Sequence, residues 1–193
     1  MANPQIGLAA DADAELAGLE RLWQSLELPG YRVELIDGQI VVSPTASRGH
    51  SNVVTELIDQ LADVKRRGWE RHTNLTVHIP ATRERLIPDL AIVPKDAPGF
   101  DENGLLASSV LLAAEVVSRH SRREDRDVKP LAYACSGILL HLLIDKLADP
   151  PGITLFSQPS ANGYARSHTA TAGQLLRLPK PFGIELDTAR LLG

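Results

Sequence analysis

Two short apolar runs, residues 86–94 ("LIPDLAIVP") and 110–118 ("VLLAAEVVS"), most constrain how this chain can fold. Runs of this length and composition are typical of strands that are buried on both faces of a sheet. Each run nevertheless contains one carboxylate, Asp89 in the first and Glu115 in the second. A carboxylate there costs free energy unless it is hydrated, paired or bound to a cation. If the two strands pair, both side chains can converge at one point.

Hydrophobic periodicity and turn residues predict the remaining elements. In chain order we predict a helix from Asp11 to about Leu26, a β-hairpin at Asp37-Gly38, a helix from Ser51 to about Arg67, a strand over 69–79, the two apolar strands with a loop over 95–109 between them, a helix through 131–137, a strand over 138–145 and two further β-hairpins. This order predicts one α/β domain with an αβββαβ core, because no repeat, linker or composition break divides the chain.

The 193 residues are enough for one such core. We expect residues 1–10 to be a flexible N-terminus and residues 11–193 to be a single domain, with its core over about 30–150 and a C-terminal β extension over 151–193. The first residues lack the basic and apolar segments of a signal peptide, and no apolar run reaches the ~20 residues that span a membrane. The protein is therefore expected to be cytoplasmic, without membrane contact.

Charge and cysteine content narrow the possible functions. The net charge of -4 gives no overall attraction to nucleic acid, so such binding would need a local basic surface. The single cysteine, Cys135, excludes a disulfide framework and a multi-cysteine zinc site. We expect Cys135 to be a small buried apolar residue.

Asp125, Lys129 and Tyr133 follow one another at a four-residue spacing, which places them on one face of the predicted helix. That face can lie over the ends of the strands that carry Asp89 and Glu115. Two bare carboxylates repel each other, and Mg²⁺ removes the repulsion because it binds oxygen ligands, typically one or two carboxylates plus waters. An ammonium group beside a metal-bound water can stabilise developing negative charge. The set suits hydrolysis of a phosphodiester.

Each of the three main residues also has an ordinary structural interpretation. Asp89 could make a turn hydrogen bond, Glu115 could belong to a buried ion pair, and Lys129 could be a solvated helix residue. All three would then occur in this chain order by coincidence, which favours the functional interpretation.

The ordered set resembles the Uma-two family of restriction endonucleases, within the PD-(D/E)XK nuclease superfamily. The resemblance covers about residues 30–150 and implies a restriction-endonuclease-like αβββαβ core, with an added N-terminal helix and β-hairpins, and metal-dependent nuclease chemistry. The matching residues are Glu34 in "VELIDGQIVVSP", His50, "PDL" at 88–90, "AEVVS" at 114–118, Asp125, Lys129, Tyr133 and "SGILLHLLID" at 136–145.

The resemblance implies that Asp89 and Glu115 are the metal-binding acids. The superfamily lysine usually lies two residues after the second acid, where this chain has Val117. The resemblance therefore assigns the role of that lysine to Lys129 on the following helix.

Further site residues are implied in the same way. Glu34 corresponds to another family acid, with a surface position on the hairpin as the alternative. His50 would support the site or would be a surface or helix-capping histidine, and Asp125 and Tyr133 would support Lys129. The chain departs from the family at Arg119, where a proline is common, and at "LHLLID", which lacks a common aromatic residue; both departures bear on substrate preference.

The implied cofactor is Mg²⁺, with Mn²⁺ as a substitute, and the implied partner is double-stranded DNA. The basic cluster beside the predicted site contains Arg122, Arg123 and Arg126, which we expect to contact phosphate. A homodimer would match the two-fold symmetry of a duplex. Two alternatives stay open: a catalytically silent nuclease-like module for binding or dimerisation, and a hydrolase of another phosphate ester.

Overall fold

Two six-stranded sheets form the body of the protein. The computed structural model describes the backbone of residues 4–102 and 104–193 and the side chains of 13–65, 67–102 and 104–193. The helices are α1 (Pro4–Ser25), α2 (Arg48–Gln60), α3 (Lys129–Cys135) and α4 (Thr188–Leu192), with 3₁₀ turns at Ala62–Arg67 and Ala107–Ser109 and a π-helical segment at Glu124–Val128. The strands are β1 (Tyr31–Ile36), β2 (Gln39–Pro44), β3 (Trp69–His72), β4 (Thr76–Ile79), β5 (Glu84–Leu86), β6 (Leu90–Pro94), β7 (Gly99–Asp101), β8 (Gly104–Leu106), β9 (Leu112–Val116), β10 (Leu140–Asp145), β11 (Gly152–Ser160), β12 (Gly163–Thr171), β13 (Leu175–Arg177) and β14 (Glu185–Asp187).

The first sheet has the strand order β2-β1-β5-β4-β8-β7, and the second has the order β12-β11-β10-β9-β6-β3. Within the second sheet, β9 is parallel to β10 and antiparallel to β6, which is antiparallel to β3. Along the chain, these strands and the helices α2 and α3 occur in the order α2, β3, β6, β9, α3, β10, with strands of the first sheet between some of them. The predicted αβββαβ core is therefore confirmed.

Strand β9 separates two hydrophobic cores because alternate side chains point to opposite faces of the sheet. Leu112, Ala114 and Val116 pack in the core that contains α2. Ala113 packs in the other core, between the second sheet and the first. Both faces of β9 are thus covered, as the apolar run predicted.

Two strands that were predicted as continuous are each divided between the two sheets. The run 86–94 breaks at Pro88, so Leu86 ends β5 in the first sheet and Leu90 begins β6 in the second. Proline has no N–H for a strand ladder, which explains the break. The run 69–79 breaks at Asn74, whose φ of 56° turns the chain from β3 into β4.

Several element bounds also differ from the prediction. Helix α1 begins at Pro4 instead of Asp11, in agreement with the helix propensity of the alanine-rich segment, while residues 1–3 lie outside the described part. Helix α2 begins three residues early because the Ser47 hydroxyl accepts a hydrogen bond from the His50 N–H at 3.3 Å. The predicted loop over 95–109 contains β7, β8 and a 3₁₀ turn.

The three predicted hairpins are present, as β1–β2, β11–β12 and β13–β14. Asp37 and Gly38 both have positive φ, as a two-residue hairpin turn requires. The expectation for Cys135 was wrong, because this residue is exposed. It lies one helical turn after the exposed Leu131, on the solvent side of α3. In the described part of the chain, no helix combines the length and the apolar character needed to cross a bilayer.

Candidate active site

Asp89 and Glu115 lie side by side on the face of the second sheet that is turned toward the first. Leu90 of β6 is opposite Ala114 of β9, so the residue before Leu90 is next to the residue after Ala114. The N–H of Val116 donates to Oδ2 of Asp89 at 2.8 Å. The pairing of the two apolar strands therefore brings the two carboxylates together.

Asp89 is a paired carboxylate. Its Oδ1 lies 2.8 Å from Nη1 of Arg32 and 2.9 Å from Nε2 of His50. Burial raises the pKa of Asp89, but His50, Arg32 and the N–H of Val116 outweigh it and hold the pKa below its ordinary value. Asp89 is thus held as an anion by two neighbouring groups and one backbone N–H.

Lys129 lies at the centre of three other acidic side chains of the site. Its Nζ lies 3.0 Å from Oε1 of Glu115, 3.2 Å from Oε1 of Glu34 and 3.3 Å from Oδ1 of Asp125. Burial alone would lower the pKa of Lys129, but Glu115, Glu34 and Asp125 outweigh it and raise the pKa well above its ordinary value. Lys129 is therefore an ammonium group, able to donate hydrogen bonds but not to act as a base.

Glu115 is fully enclosed by protein. The Tyr133 hydroxyl donates to its Oε1 at 2.6 Å. Burial raises the pKa of Glu115 well above its ordinary value, against the effect of Lys129, and the neighbouring carboxylates of Asp125 and Asp89 raise it further. Burial likewise raises the pKa of Tyr133, which therefore stays a phenol that donates to the carboxylate.

Glu34 links the two sheets at the site. It lies on β1 of the first sheet, and its Oε1 accepts a hydrogen bond from the N–H of Ile87 at 2.6 Å. Ile87 belongs to the crossing segment that Pro88 introduces between β5 and β6. Glu34 is 3% exposed, so the alternative of a surface residue on the hairpin is wrong.

The start of helix α3, which carries Lys129, is irregular. Pro130 lies near the beginning of α3 and has no N–H to donate to the carbonyl four residues earlier, and the π-helical segment Glu124–Val128 directly precedes it. Within this segment Asp125 accepts a hydrogen bond from the Ser121 hydroxyl at 2.5 Å, and Ser121 lies 2.7 Å from the hydroxyl of Ser118. These contacts tie the end of β9 to the helix that carries Lys129.

The structure brings seven of the predicted site residues together in two neighbouring sets, which adjoin where β6 pairs with β9. The first set is Asp89 and His50, and the second is Lys129 with Glu34, Glu115, Asp125 and Tyr133. The phosphate contacts of Arg122, Arg123 and Arg126 stay a prediction. Arg122 and Arg123 are exposed, and Nε of Arg126 donates to Oδ2 of Asp145 at 2.7 Å. Sequence reasoning missed Arg32, although its two-residue spacing from Glu34 on β1 places both on one face.

A cavity of about 460 Å³ opens beside Asp89. It is bounded by the loop between β2 and α2, the segment after β9 and the residues that follow β10. Its lining consists of Arg32, Ser43, Pro44, Thr45, Ala46, Ser47, Gly49, His50, Val53, Val116, Val117, Ser118, Arg119, His120, Lys146 and Leu147. The predicted site thus has an accessible space next to it.

The charges of the site show whether a divalent cation fits. Among the described residues, no three His, Cys, Asp or Glu side chains form a ready metal-ligand cluster. The permanent cations are Arg32 and Lys129, and buried carboxylates outnumber them: Glu34, Asp89, Glu115 and Asp125. Mg²⁺ needs only one or two carboxylates and completes its shell with water. Asp89 and Glu115 therefore fit a divalent cation by donor type and by charge.

Comparisons with known proteins agree with this fold. The crystal structure of a protein from Anabaena variabilis, described as "a putative nuclease belonging to DUF820", matches with a TM-score of 0.71 at 18% sequence identity, over 90% of this chain and 96% of that one. No protein with curated function matches. The model of the Uma2 family, described as "Putative restriction endonuclease", matches residues 19–189. The chain belongs to the Uma2 family.

Proposed function

We propose that the protein is a DNA endonuclease that hydrolyses phosphodiester bonds with Mg²⁺, for which Mn²⁺ can substitute. The observation that most supports this proposal is the buried group of acidic side chains around Lys129, namely Glu34, Glu115 and Asp125. Burial and neighbouring acids raise the pKa of Glu115 and of Asp125. A cation bound at the site would favour the ionised forms of these side chains.

In this proposal Asp89 and Glu115 hold the cation, which when bound supplies Lewis acidity and lowers the pKa of a water nucleophile. Arg32 and His50 keep Asp89 ionised and fixed in orientation. The Tyr133 hydroxyl and Lys129 both contact Oε1 of Glu115 and so fix the orientation of this side chain.

In the same proposal Lys129 assists the attack of water on the phosphate. As an ammonium group it assists the attacking water through its positive charge, which stabilises the negative charge that the phosphate oxygen gains. Glu34 and Asp125 hold it in place from two sides, at 3.2 and 3.3 Å. Such preorganised electrostatic groups are typically worth about 10²–10³ in rate.

A homodimer remains part of the proposal. Strand β2 is an edge strand of the first sheet. Val42 on this strand is 46% exposed, and Tyr31 on the neighbouring strand β1 is 56% exposed. Exposed apolar side chains on an edge strand favour association with a second chain.

Cleavage of supercoiled plasmid DNA tests the proposal. Wild type, Asp89→Ala and Glu115→Ala would be compared with Mg²⁺, with Mn²⁺ and with EDTA. We expect cleavage by wild type alone, abolished by EDTA. Equal cleavage by all three proteins would mean that these residues do not form the active site.

One observation favours a second candidate, a catalytically silent binding or dimerisation module. Both oxygens of Asp89 already have partners within the protein, namely Arg32, His50 and the N–H of Val116. In such a module these contacts would be purely structural. It would leave plasmid DNA intact and bind no divalent cation, whereas a hydrolase of another phosphate ester would bind the cation and cleave a simple diester such as bis(p-nitrophenyl) phosphate.

A further inference from the structure

We infer that the cavity beside Asp89 holds one unstacked nucleotide of the substrate, next to the bond that is cleaved. This inference rests on the proposed function and specifies its substrate class. It predicts that the enzyme acts where a nucleotide is unpaired, in a single strand, a bulge or a frayed end, and not within a perfectly stacked duplex.

Residues that contact Asp89 also line the cavity. Arg32 and His50, the two residues that contact Asp89, also line the cavity. Val116, which follows Glu115, donates its N–H to Asp89 and contributes to the lining as well. A ligand in the cavity is therefore adjacent to the proposed catalytic groups.

Much of the lining is apolar. Val53, Val116 and Val117 are buried and form the inner wall, whereas Pro44 and Leu147 are exposed at the rim. Such a wall does not suit a phosphodiester backbone, because the outer atoms of the backbone are charged or polar. It suits the flat face of a base, since pockets that accept a base can hold it between apolar side chains.

The rest of the lining is polar and positively charged. Arg119, His120 and Lys146 lie at the cavity together with Arg32, and the β2–α2 loop adds the hydroxyls of Ser43, Thr45 and Ser47. Cations complement a phosphate, and hydroxyls can pair with a base edge or a sugar. A ligand with an apolar ring, a polar edge and a negative charge is a nucleotide, and about 460 Å³ lies within the volume range of small-ligand sites.

The base must leave its stack to enter. Enzymes that accept a base in a pocket act on single strands or extrude the nucleotide, and they pay least for a nucleotide that is already unpaired. The basic residues that contact phosphate are then Arg119 and Lys146 at the cavity, in place of Arg122, Arg123 and Arg126 on the neighbouring helix.

Gly49 gives a direct way to fill the cavity. It lies in the wall on α2, and a Cβ built there meets no atom within 4 Å. The Cβ of Gly49→Phe therefore has free space, and the ring is added to obstruct the cavity; Gly49→Ala is the matched control. Ala46→Phe on the exposed loop of the same wall is a second obstructing variant, which keeps the test valid if Gly49→Phe does not fold.

Binding is measured by fluorescence anisotropy in the presence of Ca²⁺. One ligand is a labelled oligothymidylate of about 12 nucleotides, a length within known single-strand site sizes. The other ligand is a perfect duplex of equal length. We expect wild type and Gly49→Ala to bind the single strand more tightly than the duplex. Gly49→Phe and Ala46→Phe should weaken single-strand binding about tenfold, the loss expected for one stacked base. Preference for the duplex, or unchanged binding by the folded obstructing variants, would overturn the inference.

Plasmid cleavage, measured separately, distinguishes this inference from the proposed function. If wild type and Gly49→Phe cleave and bind equally well, the nuclease proposal stands and the nucleotide cavity is rejected. If no protein cleaves but only the obstructing variants lose single-strand binding, the cavity is supported and the nuclease proposal fails.

Discussion

The ammonium nitrogen of Lys129 lies 3.0 Å from Oε1 of Glu115, and neither side chain is more than 2% exposed. This contact joins α3 to the central strand β9. In the proposed function Lys129 takes the place of the superfamily lysine, whose usual position is occupied by Val117 here. Val117 is buried, and Lys129 lies on a helix whose first turn follows a π-helical segment.

Replacing Lys129 by methionine should destabilise the protein strongly. The change leaves Glu34, Glu115 and Asp125 buried without their shared cation, and breaking a buried ion pair by removing one partner costs about 3–5 kcal/mol. Urea denaturation without divalent cations measures the free energy of unfolding. Lys95→Met, at an exposed position, is the control and should change it by less than about 0.5 kcal/mol. Equal midpoints for both variants would contradict the account.

The stability of the protein should depend on the acceptor oxygen of Glu34 as well as on its charge. Glu34→Gln keeps a carbonyl oxygen that can accept from the N–H of Ile87, whereas Glu34→Ala leaves that N–H without its partner. An unsatisfied buried donor costs about 1–3 kcal/mol, so the alanine variant should be less stable than the glutamine variant by that amount. Thermal unfolding by circular dichroism compares the two, and identical melting temperatures would show that the contact contributes nothing.

Arg85 should hold α1 on the first sheet. It is 2% exposed, pairs with Glu20 of α1, and lies over the rings of Trp23 and Phe100 at 5.6 and 5.0 Å. Arg85→Met should lower the free energy of unfolding by about 3 kcal/mol and speed proteolysis within α1. Arg83→Met is the control, because Arg83 pairs with the same glutamate but has 35% of its side chain accessible. Equal protease resistance of both variants would argue against this role.

His141 should make stability depend on pH. Burial lowers its pKa to about 3, from an ordinary value of 6.5, so the folded protein keeps the imidazole neutral. As the pH falls, the unfolded chain binds a proton at His141 before the folded protein does. The stability that is present above pH 6.5 is therefore lost as the pH falls toward 3. Between about pH 7 and about pH 5 the loss should be near 2 kcal/mol.

Urea denaturation at several pH values measures this effect, with His141→Phe as the comparison. The variant should lose less stability on acidification than wild type, because its residue 141 does not titrate. Parallel pH profiles for the two proteins would show that His141 is not the cause.

The sequence predicted the central architecture well because β9 and β10 are mostly apolar, apart from Glu115 in β9 and His141 and Asp145 in β10, and such runs favour a buried sheet. It also predicted the convergence of Asp89 and Glu115, which follows from the pairing of two such strands. The crossings at Asn74 and Pro88 were missed because each depends on one residue's backbone conformation, inside runs whose side chains suit a continuous strand.

The site was harder to predict where it depends on tertiary packing. Lys129 and Glu34 look like surface residues in sequence, and only the second sheet and α3 bury them. Arg32 was overlooked because an arginine on a hairpin is usually solvated. The positions of Arg122 and Arg123 could not be judged from charge alone, since the cavity is set by the loops after β2, β9 and β10.

The central claim is that Asp89 and Glu115 together hold one divalent cation, and Mn²⁺ titration calorimetry tests it most directly. Wild type should bind one Mn²⁺ per chain, while Asp89→Asn and Glu115→Gln, which keep side-chain shape but remove a charge, should bind none. Asp145→Asn, which alters a carboxylate paired with Arg126, should bind as wild type does. Absence of binding by wild type, or equal binding by all four proteins, would contradict the account.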